Sequence, residues 1–98
     1  MEAYVVHDAV QGLGKKSIVF LPINGNSLTV SVPYLSRSVW VEMELGYPHP
    51  EDAFNKIELS EDLVQSIFAA YEGGPNILDG EVGDHLRSMV ENHREDSK

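Results

Sequence analysis

Apolar and polar residues alternate most clearly between positions 17 and 45, and the alternation predicts three strands in succession. "SIVFLPI" (17–23) is an apolar strand, and "NSLTVSV" (26–32) places Leu28, Val30 and Val32 on one face. Between them stands Asn24-Gly25, the dipeptide that best tolerates the positive φ angles of a two-residue hairpin turn. That loop sets Ile23 opposite Asn26, Leu21 opposite Leu28 and Val19 opposite Val30, so the apolar sets share one face. It also puts Pro22 at a non-hydrogen-bonded pair, where the missing N–H costs the hairpin nothing, and predicts a sheet edge on its outer side. "PYLSRS" (33–38) connects to "VWVEMEL" (39–45), where Val39, Val41, Met43 and Leu45 face one way and Trp40, Glu42 and Glu44 the other.

The flanks are less regular. Residues 3–6 read as a short strand, "QGLGKK" (11–16) as a polar connector and "GYPHPED" (46–52) as a Pro-rich exit from the sheet. Residues 51–59 fit a helical turn or a short strand. Ser60 is a good N-cap, Glu61 and Asp62 complement the helix dipole, and Leu63, Val64, Ile67, Phe68 and Tyr71 form an apolar stripe. A helix over about 60–72 therefore ends at Gly73-Gly74-Pro75. "NILDG" (76–80) reads as a loop. A second helix over 81–93 carries Val82, Leu86, Met89 and Val90, and residues 94–98 read as a frayed tail. Strands followed by helices predict one α+β domain over 1–98: a three- or four-stranded antiparallel meander with two C-terminal helices packed on one face. The opposite face, with Trp40, Glu42 and Glu44, is expected to stay exposed or to bind something.

Charge adds a second asymmetry to this outline. The net charge is −9, but residues 1–41 hold two acids against three bases, and residues 42–98 hold fourteen against four. Direct binding to nucleic acid runs on clustered Lys and Arg and is disfavoured, whereas attraction to a basic protein surface is favoured. Acidity also keeps a small domain soluble, which is the plainer account of any single residue. Without Cys, disulfides, thiolate catalysis and Cys-ligated zinc are excluded. No apolar run approaches a membrane span and the first ten residues lack a basic n-region, so the expected compartment is the cytoplasm.

Motifs for chemistry are thin. "GLGKKS" (12–17) fails as a phosphate loop, because Ala9 stands where the first Gly belongs and Lys16 where Ser or Thr belongs. His7, His49, His85 and His93 show no metal-ligand spacing, and no Ser sits in a nucleophile elbow. No cofactor and no enzymatic activity are expected, and a small enzyme or metal protein using His7, His49 or His85 ranks last. Glu42 and Glu44 would stand about 7 Å apart along a strand, close to the spacing of successive phosphates in a nucleic-acid strand. Glu51, Asp52, Glu58, Glu61 and Asp62 could extend that row, with Trp40 as an aromatic anchor.

In size, acidity and lack of a catalytic motif the chain resembles, as a type, phage-encoded inhibitors of host defence, including anti-CRISPR proteins. It equally resembles immunity proteins that neutralise a toxic nuclease. The resemblance assigns no residue a role. It implies a non-enzymatic binding protein that blocks a basic, nucleic-acid-binding site on a partner. The alternative is a structural module that forms homodimers through its sheet.

Overall fold

A computed structural model of the protein describes residues 1–11, 14–23, 26–36, 38–44, 55–73, 76–78 and 80–96, with the side chains of Gln11, Met43 and Glu44 outside that description. The strands are β1 (Glu2–Gln11), β2 (Gly14–Ile23), β3 (Asn26–Pro33), β4 (Val39–Glu44), β5 (Lys56–Glu58) and β6 (Ile77–Leu78). The helices are α1 (Glu61–Gly73) and α2 (Gly80–Asp96). All described strand pairs are antiparallel, and the spatial order is β5-β1-β2-β3-β4-β6.

The α+β class therefore stands, but the sheet has six described strands rather than three or four. The largest difference is β1. Its ten residues replace the short strand expected at 3–6, and Gln11 pairs with Gly14 where a polar connector was expected. A bulge conceals this strand in the sequence. Val6 pairs with Ile18 and Ala9 with Lys16, so His7 and Asp8 together face the single residue Ser17. Asp8 absorbs the extra residue with φ 58°, a left-handed conformation that Asp tolerates better than most side chains. Beyond the bulge the period-2 pattern resumes out of phase.

Two further strands come from tertiary pairing of very short segments. Residues 51–59 resolve as β5, three residues beside β1, for the part that is described. Within the expected loop 76–80, Ile77 and Leu78 pair with Trp40 and Val39. The Val41 N–H donates to the Asn76 carbonyl at 2.9 Å, extending that contact by one bond. The expected tail also differs: α2 runs through Asp96, for a reason given below.

The β2–β3 register has Ile23 opposite Asn26, Leu21 opposite Leu28 and Val19 opposite Val30, as an Asn24-Gly25 loop sets it. The loop residues themselves lie outside the described residues. β1 covers β2 from Gly14 to Phe20, and the described pairing stops two residues short of Pro22, so the outer side of β2 is unpaired at Pro22 as expected although β2 is not an edge strand along its length. Ser60 caps α1, accepting the Leu63 N–H at 3.3 Å.

One sheet face carries the core. Ala3, Val5, Val19, Leu21, Leu28, Val30, Val32, Val39, Val41 and Ile57 meet Leu63, Val64 and Ile67 of α1 and Leu86 and Val90 of α2. At Gly83 the backbone of α2 approaches β6 so closely that a Cβ would drive into the Leu78 carbonyl oxygen. The other face is less open than expected. By register Phe20, Thr29 and Ser27 lie on it, yet Phe20 is only 3% exposed and the other two are buried.

Candidate functional site

The expected acidic row divides in three dimensions. Trp40, 44% exposed, and Glu42, also exposed, lie on the outer face of β4. Glu44 follows on the same strand, and Glu51 and Asp52 lie outside the described residues. Glu58 is on β5, at the far edge of the sheet with β1, β2 and β3 between, roughly 19 Å away at about 4.8 Å per strand. Its carboxylate takes a 2.9 Å contact from the N-terminal ammonium. Glu61 and Asp62 open α1, whose apolar stripe packs on the inner face. Trp40 and Glu42 thus share one surface, while Glu58 and the Glu61–Asp62 pair stand on others.

The helices carry an acidic surface that the strand pattern did not single out. On α2, Glu81, Asp84, Ser88, Glu91 and Glu95 are all exposed at spacings of three and four residues, which makes one stripe along the helix. α1 adds exposed Glu61, Asp62 and Glu72. Asp62, Ser66, Glu81 and His85 line a groove of about 370 Å³ where the starts of the two helices meet. The two helices hold eight carboxylates and two arginines. Both arginines turn away from the stripe. Arg87 donates to the carbonyls of Pro33 (2.5 Å) and Ser36, and comes only within 4.0 Å of Glu91. The Arg94 guanidinium stacks on the Tyr34 ring, 4.2 Å from its centroid.

Beneath those arginines lies a polar cluster that sequence spacing missed. By alternation His7 follows Ala3 and Val5 on the inner face of β1, where its Nδ1 lies 2.8 Å from Ser17 Oγ and its Nε2 lies 2.9 Å from His93 Nδ1. His93 Nε2 is 2.9 Å from the Lys56 carbonyl oxygen. That oxygen can only accept, so His93 carries its proton on Nε2 and presents a bare Nδ1. His7 must then donate from Nε2, leaving Nδ1 to accept the Ser17 hydroxyl proton. Tyr34 completes the cluster: its hydroxyl accepts the Asp8 N–H at 2.8 Å, donates to Asp8 Oδ1 at 3.1 Å and lies 3.3 Å from Ser17 Oγ.

Burial, the neighbouring His93 and Arg94 lower the basicity of His7, in that order, against an opposing pull from Asp8. The Ser–His–His chain has the connectivity of an activated nucleophile, but Ser17 is 1% exposed, so no substrate atom reaches its oxygen in this conformation. Among the described residues no group of three or more His, Asp or Glu side chains could hold a metal ion. His7 and His93 lie eighty-six positions apart. The only local signal was a histidine and an aspartate interrupting an apolar strand.

Among the described residues no helix is long and apolar enough to cross a membrane. Comparison with models of known families, with curated proteins and with solved structures finds no match for this chain.

Proposed function

We propose that this chain is a small acidic, non-enzymatic binding protein of the cytoplasm that blocks a basic, nucleic-acid-binding site on a partner protein. The reading is of the type of phage-encoded inhibitors of host defence; a nuclease as partner would make it an immunity protein. The observation that supports it is the acidic helical surface, eight carboxylates on two helices whose two arginines make their shortest contacts with residues 33–36. Carboxylates left in solvent along a rigid helix attract a basic surface at long range and are screened by salt. Trp40 supports a second reading, homodimerisation through the outer sheet face, since a half-exposed aromatic residue is a common interface anchor.

The test is a pull-down from cell lysate with washes at low and then high salt, retained proteins being identified by mass spectrometry. A nucleic-acid-binding protein held at low salt and released at high salt is expected. Glu81→Lys with Asp84→Lys should abolish capture, and retention by that variant moves the contact to β4, where Glu42→Lys with Glu44→Lys should then abolish it. Recovery of the bait alone overturns the reading, and a salt-resistant dimer in sedimentation favours the second.

A further inference from the structure

α2 is held on the sheet in two different ways. Its first three turns bury Gly83, Leu86 and Val90, but after Val90 no described residue of the helix is fully buried. The last turns dock through His93, bridging His7 of β1 and Lys56 of β5, and through Arg94 on Tyr34. This docking lets the helix continue through Asp96 despite a polar sequence.

The geometry points to the His7–His93 pair as a proton-operated latch, closed at neutral pH and released in mild acid, that holds the C-terminal turns of α2 on the β1–β5 edge. In the closed latch the four ring nitrogens carry two protons, and their positions are fixed from the Lys56 carbonyl outward. One further proton can enter only at His7 Nδ1, and it requires the Ser17 hydroxyl to turn towards Tyr34. A second has no place, because two N–H groups would then point at each other across 2.9 Å. Once α2 lifts away, both rings meet water, where an ordinary free imidazole takes a proton at about pH 6.5. Release therefore takes up at least one proton, and acid must favour it.

The surrounding charges agree. From α2, Arg94 adds a positive charge over Tyr34; from β1, Asp8 gives a nearby carboxylate, already occupied by the Tyr34 hydroxyl. From β2, Ser17 faces His7, while the Lys16 ammonium turns to Ser31, 3.4 Å away. From β5, the Lys56 ammonium pairs with Glu2 at 2.9 Å and offers His93 only its carbonyl. The half-buried, electropositive setting lowers His7 basicity, so between the ordinary value and the lowered one the released form binds more protons than the closed form.

The experiment is an NMR titration of the whole chain from pH 8 to pH 5, reading ring nitrogens and amide hydrogen exchange together. At pH 8 both His7 and His93 should show the Nε2–H tautomer, while exposed His85 serves as the internal reference. Exchange protection of the amides of residues 91–96, corrected for intrinsic rate, should fall about tenfold per pH unit below about 6.5 for each proton taken up. Protection in α1 should stay level over the same range. His93→Gln should leave the α2 end equally exchangeable at all these pH values. Either histidine in the Nδ1–H tautomer, or α2 and α1 sharing one pH profile, overturns the latch. These readouts need only the wild-type chain, so they decide the matter even if the variant fails to fold.

Discussion

α1 and the end of α2 lie against the same protein but are attached by different physics. α1 is seated by Leu63, Val64 and Ile67, all buried, with Ile67 at 0% exposure. The last turns of α2 are seated by ring nitrogens, a tyrosine face and backbone carbonyls. An apolar seat depends on area removed from water and is indifferent to pH across the neutral range. A seat of neutral imidazoles depends on which groups hold protons, so the same helix-on-sheet contact becomes conditional. The difference also separates the two halves of α2, where Gly83, Leu86 and Val90 pack and His93 and Arg94 tether.

The strongest way to break the comparison is to empty the apolar seat. Ile67→Ala should cost about 2–5 kcal/mol in urea unfolding, with the same loss at pH 8 and pH 5.5. A next, smaller effect is expected at the packed half of α2. Gly83→Ala places a methyl against the Leu78 carbonyl and should cost about 1–3 kcal/mol, with β6 losing amide protection first. The smallest effect sharpens the polar side. Arg94→Ala should cost about 0.5–1 kcal/mol through the lost stacking on Tyr34. Because Arg94 helps depress His7, its removal should also raise the His7 midpoint in the closed form and so weaken the acid dependence of α2 release, which an NMR titration reads directly.

Pattern recovered whatever was regular and local. The β2–β3 register, the inward facing of Val39 and Val41 on β4 and the apolar stripe of α1 follow from period 2 and period 3.6 with an N-cap at Ser60. The candidate acidic surface was legible as composition but not as a surface. Fourteen carboxylates stand at residue 42 and beyond, yet the row expected from β4 joins residues that the fold puts on β4, on the far edge strand β5 and at a helix start. Where the carboxylates stand depends on which strands pair, and strand order is not written in the alternation of any one strand.

The sequence by itself determined an acidic α+β chain, because charge and short-range periodicity are properties of neighbours along the chain. Only the tertiary structure decided that β1 continues through a bulge, since the bulge breaks the very periodicity by which a strand is read. It alone made strands of Lys56–Glu58 and Ile77–Leu78, segments too short to form without a partner already in place. And it alone brought His7 to His93: hydrogen bonds between such distant residues require the chain to close first, and nothing local announces where it will close.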